Sequence, residues 1–154
     1  AAPSVDEARQ VFAVRKMLET EMVRAFIQVV DDNKIANLRE HVAQERIAIE
    51  QEDAPGRTEL LGDFHVRMAE LMENEVLAQL LSQLISRCSL ITLMYQTSSA
   101  AATSNDDHAQ IVNALADKNE TLAVQLMQKH LHNVEKNLTF DRKLPSYDLA
   151  TALA

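Results

Sequence analysis

Apolar positions recur every three or four residues along most of the chain, the period of an α-helix with one buried face. Ser4-x-x-Glu7, just after Pro3, has the form of a capping box and opens a first helix that should run to about Val30 and stop near DDNK, residues 31–34. A second helix, from about Asn33 to Asp53, carries Ile35, Leu38, Val42 and Ile49 on one stripe, and Ala54-Pro55-Gly56 should end it. A third, from about Thr58 to Glu73, turns Leu60, Leu61, Phe64, Met68 and Leu71 inward. Asn74 should cap a fourth helix, 75–97, which is apolar around much of its circumference and so is expected at the centre. TSSAAATSN, residues 97–105, reads as a small-residue linker, with Ser104-x-x-Asp107 capping a fifth helix to about Ala116. Asn119 should cap the last long helix, to about Leu138, followed by a tail over 139–154.

This pattern predicts an all-α fold, six antiparallel helices bundled in one domain over 1–138. Composition agrees: 154 residues hold only two glycines, three prolines and no tryptophan. A net charge of −8 without a basic cluster makes this segment a poor nucleic-acid binder by itself. The single cysteine, Cys88, allows no internal disulfide and fits a reducing, cytoplasmic setting. The N-terminal residues lack a signal segment, and the apolar run 76–97 contains Gln79, Ser82, Gln83, Ser86, Arg87, Ser89 and Gln96, too many polar groups for a lipid-facing span. No membrane association is expected.

The candidate chemistry lies in histidines placed on apolar stripes. In QLMQKHLHNV, residues 125–134, His130 and His132 are two positions apart, about 200° of helical rotation, and must face opposite ways. His130 falls among Leu126, Met127 and Val134 and faces inward; His132 falls with Gln128 and Glu135 and faces water. His108 heads the stripe Ile111, Val112, Leu115, and His65 lies between Leu61 and Met68. His41, at the polar edge of its helix, should be exposed. One inward histidine is ordinarily a core residue with one hydrogen bond. Three on separate helices each need polar partners, and a shared divalent metal would satisfy all three at once while leaving a position open. Arg15, with Val11, Leu18 and Met22 on its stripe, either extends its head to solvent or Glu19, or anchors an anionic small molecule. Arg87, at the border of the polar strip of the fourth helix, poses the same choice.

Three segments, EARQVFAVRKMLETEMVRAFI, GDFHVRMAELMENEVLAQLLSQLISRCSLITLMY and HAQIVNALADKNETLAVQLMQKHLHNVEKNL, resemble the FCD ligand-binding domain of GntR-family transcriptional regulators from about Val5 to Leu138. The most specific matches are R-x-x-L-E at Arg15–Glu19, F-H with the later E-N at Phe64–Asn74, H-x-x-I-V-x-A-L at His108–Leu115 and H-L at His130–Leu131. The resemblance implies an antiparallel bundle of six to seven helices that dimerises and binds a small organic acid, often beside a divalent metal held by one aspartate and three histidines. The histidine positions match His65, His108 and His130; zinc or nickel is the expected metal, with Arg15 and Arg87 binding the effector carboxylate. The chain departs from the pattern at Leu61, where the family carries its aspartate; Asp63, two residues before His65, faces another way. The site then has three protein ligands plus water or effector, or a fourth ligand from elsewhere, or no metal. The family's winged-helix DNA-binding domain is not encoded here, so DNA contact is expected only through an absent N-terminal part. The resemblance implies a regulator rather than an enzyme. The competing readings are a purely structural dimerisation bundle and a metal-dependent hydrolase with three histidine ligands, the latter disfavoured because no general base is evident beside the histidines.

Overall fold

The structure is a computed structural model, described over residues 4–140. Six helices, and no strand, occur among these residues: α1 (Val5–Val29), α2 (Asp32–Glu50), α3 (Ala54–Leu71), α4 (Glu75–Tyr95), α5 (Ser98–Ala116) and α6 (Glu120–Phe140). The all-α bundle expected from periodicity is what forms. Ser4 caps α1 through Glu7 N–H at 3.1 Å. Asn74 caps α4 through Leu77 N–H at 3.0 Å, and Asn119 receives Leu122 N–H at 3.2 Å.

Two boundaries depart from expectation for local reasons. Ala54-Pro55-Gly56 opens α3 as well as closing α2: Asp53 caps it through Gly56 N–H at 3.0 Å, and proline is well accommodated in a first turn. The supposed linker 97–105 is mostly helix. Thr97 caps α5 through Ala100 N–H at 3.0 Å, and alanine, the best helix former, carries the backbone on into the histidine stripe. Ser104 is therefore an interior helical residue and not a cap. Of the expected tail, Phe140 and the residue before it continue α6; the rest lies outside the described residues.

Three turns share one construction. Glu52, Glu73 and Lys118 have φ of 56°, 59° and 55°, and the next residue's N–H reaches back five positions, Asp53 to Ala48, Asn74 to Ala69 and Asn119 to Ala114. That next residue then caps the following helix. The turns fold α2 against α3, α3 against α4 and α5 against α6. α1 packs chiefly on α6, and α2 also on α5, whereas the backbones of α1 and α2, and of α4 and α5, do not pack closely side by side. Gly62 lets α3 and α4 approach closely, since a Cβ there would stand 2.8 Å from Ile85 Cγ2.

α4 is not central. It packs on α3 and lightly on α1 and α6, burying Ala78, Leu81, Cys88 and Ile91 and leaving Val76, Leu80, Leu90 and Leu93 exposed. By length and composition α4 alone among the described helices could cross a membrane. The principal core gathers Phe26, Leu38, Phe64, Met68, Ile111, Leu115 and Met127; a smaller one joins Val11, Phe12, Cys88, Ile91 and Leu138.

Candidate ligand and metal site

His65 on α3, His108 on α5 and His130 on α6 converge in the interior, each at most 2% exposed. Ring centroids lie 5.2 Å apart for His65–His108, 5.4 Å for His65–His130 and 4.6 Å for His108–His130. One nitrogen from each falls within 4.8 Å of the other two. Nitrogens sharing an ion through bonds of about 2.1 Å stand no more than about 4.2 Å apart, a little closer than this limit.

Each ring is held from behind by a carboxyl group. His65 Nδ1 hydrogen-bonds Glu19 of α1, His108 Nδ1 lies 2.8 Å from Glu45 of α2, and His130 Nδ1 lies 2.9 Å from Asp107 of α5. A carboxylate that accepts a hydrogen bond from Nδ1–H leaves Nε2 with its lone pair aimed away from it, the arrangement that orients metal-binding imidazoles. Phe64 fixes the plane of His108 by stacking at 3.9 Å between centroids. His108 and His130 bring their Nε2 atoms to 3.1 Å, a contact that needs a proton or a cation between them.

Burial sets the charge states. It pushes His65 down to about 3, although Glu19 pulls the other way. His108 is held well below its ordinary value by burial and by neighbouring His130. Burial would raise Glu19, but Arg15 and His65 bring it down to about 2. Glu45, by contrast, is pushed up to about 8 by burial, against the hydrogen bond from Asn105. Two of the three rings are thus kept neutral, the form that ligates metals.

Arg15 faces the same cavity. It is 6% exposed, gives Nε to Glu19 at 2.8 Å and lies 5.3 Å above the Phe12 ring. No partner of its two terminal amino groups is found among the described residues. The cavity has a volume of about 50 Å³ and is bounded by the three histidines, Arg15, Leu61 and a row of hydroxyls from α3, α4 and α5. Leu61 lies on this wall, so an apolar side chain stands where a fourth ligand would be expected. Asp63 borders the separate α3–α4 groove.

Arg87 is not brought to this cavity. Its side chain is 61% exposed and stands 3.8 Å from Glu7. His132 is exposed as expected, but His41 is not: it is 4% exposed, donates from Nε2 to Leu60 O at 2.7 Å and lies 3.6 Å from Glu45. It belongs to the layer behind His108. Sequence reasoning also missed Glu19, Glu45 and Asp107 as ring partners, Glu19 having been expected only beside Arg15. The signal for Glu45 was present, a charged residue in step with Leu38, Val42 and Ala48 on the buried side of α2.

The described residues thus form a helical bundle with an interior histidine cluster beside an arginine. The FCD domain matches residues 10–133, and the chain belongs to that family. Among solved structures it is similar to Streptococcus agalactiae GntR, with a TM-score of 0.73 and 21% identity over 85% of this chain. The match covers 59% of that chain, so this chain spans less than two thirds of its length. No curated protein matches.

Proposed function

We propose that this chain is the effector-binding and dimerisation domain of a GntR-type transcriptional regulator, with residues 1–138 forming the domain and the tail following it. The observation that carries the reading is the cavity itself: three imidazoles, each backed by a carboxyl group, face one point beside an arginine whose terminal amino groups are uncommitted. His65, His108 and His130 would hold a divalent ion, zinc or nickel. A bound ion supplies a positive charge with open positions for a carboxylate oxygen. Arg15 offers that carboxylate two parallel N–H donors and keeps its charge when buried. Arg87, paired with Glu7 on the surface, has no part in this site as built.

Among the described residues no acidic side chain lines the cavity; Glu19, Glu45 and Asp107 all stand behind the rings. A hydrolase would need a base in contact with attacking water, so sensing is favoured over catalysis. The exposed apolar face of α4 supports a homodimer through that helix. DNA contact is assigned to another part of a longer, cytoplasmic protein, in keeping with the acidic charge of this chain.

The test is metal analysis of the purified chain together with thermal-shift measurements against short carboxylic acids. Bound divalent metal and a melting temperature raised by acids are expected. A metal-free protein indifferent to every acid, whether or not zinc is added, would leave only the structural dimerisation reading.

A further inference from the structure

Most residues that line the histidine cavity are buried, and the half-buried ones mark where solvent comes nearest. All of these but Val134 of α6 stand on α3, on α4 or at its C-terminal cap. The cavity therefore approaches the surface along the α3–α4 seam.

An outer groove runs along the same seam. Its volume is about 560 Å³, against about 50 Å³ inside. Groove and cavity share Thr58, Gly62, Ile85 and Ser89, so the partition between them is one residue thick. Thr58 and Gly62 are one turn apart on α3, and Ile85 and Ser89 one turn apart on α4. Neither hydroxyl bridges the helices: Thr58 Oγ1 donates to Ala54 O at 2.8 Å and Ser89 Oγ to Ile85 O at 3.2 Å, each within its own helix. The Ile85 side chain fills the partition, lying so close to Gly62 that a Cβ there would stand 2.8 Å from Ile85 Cγ2.

The two helices are pinned on either side of this point. The turn at Glu73 joins α3 to α4. At the other end Arg57, 7% exposed, donates to Gln96 O and Ser98 Oγ, each at 3.1 Å, and fastens the start of α3 to the end of α4. Opening between pinned ends is a matter of one side chain changing rotamer, not of helices parting. The groove also has a sign. Glu59 and Asp63, both exposed, stand one turn apart along it on α3, and among the described residues no basic side chain lines it. A cleft lined by one charge draws in the opposite ion.

We infer that divalent cations reach His65, His108 and His130 through this partition, drawn by Glu59 and Asp63 and admitted by movement of Ile85. The inference rests on the metal-binding reading above. A gate changes entry and exit alike and leaves the affinity alone, because it alters the barrier and neither end state. Fixed charges at the mouth change chiefly entry, and do so less as salt is added.

The experiment is stopped-flow zinc exchange on the full chain, with association followed by a fluorescent zinc indicator and release followed in excess chelator. Ile85→Ala should speed association and release together, each by about threefold or more, with the dissociation constant held within about twofold. Ile85→Val, a smaller change that guards against misfolding, should shift both rates the same way by less. Val134→Ala removes an apolar side chain from the other half-buried side of the cavity and should leave both rates as in the parent. Glu59→Gln should slow association about twofold at low salt and not at high salt. Rates unchanged in both Ile85 variants overturn the route, and so does equal acceleration in Val134→Ala, which would mean general loosening. Association indifferent to Glu59→Gln overturns the role of the acidic mouth. Failure of the parent to bind zinc overturns the metal-binding reading itself, and the inference with it.

Discussion

At the scale of single residues, the site depends on what stands behind each imidazole. Asp107 is the most accessible of the three carboxyl groups and touches only His130 among the imidazoles, so it is the cleanest probe of that support. Asp107→Asn should weaken zinc binding about 10–100-fold, read by competition with a chromophoric chelator, with little change in fold. Leu61 tests the departure from the family pattern. It lies one turn before His65 on the cavity wall, so Leu61→Asp should tighten zinc binding while lowering the melting temperature of the metal-free chain, where the new carboxylate is buried without a counter-charge. Calorimetry with and without chelator reads both effects; unchanged zinc affinity would remove position 61 from the coordination sphere. The inward turn of His65, His108 and His130 was legible because each stands among apolar neighbours at helical spacing. Their gathering at one point was not, since periodicity fixes the face of a helix and says nothing of how helices meet. His41 misled for a related reason: flanked by Arg39 and Glu40, it looks solvated, yet its ring turns toward the Leu60 carbonyl across the α2–α3 contact.

At the scale of elements, the helices were legible and their turns only half so. Asp53, Asn74 and Asn119 are good caps, and the latter two mark helix starts in the sequence. The residues before them, Glu52, Glu73 and Lys118, carry the left-handed conformation that glycine usually takes, and neither glycine of the chain has positive φ. With no glycine at these turns, the α2–α3 boundary was read from Pro55-Gly56, a few residues late. Strain at each position runs to about 1 kcal/mol. Glu52→Gly, Glu73→Gly and Lys118→Gly should each stabilise the chain by up to about 1 kcal/mol, and the three should add because the turns are separate. Urea denaturation measures this; a loss of stability at all three would mean that the side chains there make compensating contacts. The α5 start was missed because TSSAAATSN looks like a linker when serines and threonines are weighed above alanines, whereas Thr97 serves as cap and the alanines as helix.

At the scale of the molecule, α4 is the element whose sequence and placement disagree. Its apolar circumference suggested a central helix, but the fold sets it at an edge against α3, with leucines and a valine facing outward. The homodimer proposed above would use this exposed apolar face. The double variant Leu80→Glu, Leu90→Glu should be monomeric by light scattering where the parent is dimeric, and should keep its helical circular dichroism. A parent already monomeric at high concentration would separate this face from self-association.

The three imidazoles come from α3, α5 and α6, with the first, His65, and the last, His130, far apart along the chain. An ion gripping all of them would act as a reversible staple across much of the sequence. α6 could then not peel from the bundle without surrendering its ion. Stripping the metal with a chelator should therefore speed amide hydrogen exchange along α6 by about the factor 1 + [M]/Kd, where M is the free ion. The last helix, not the first, would register the state of the site.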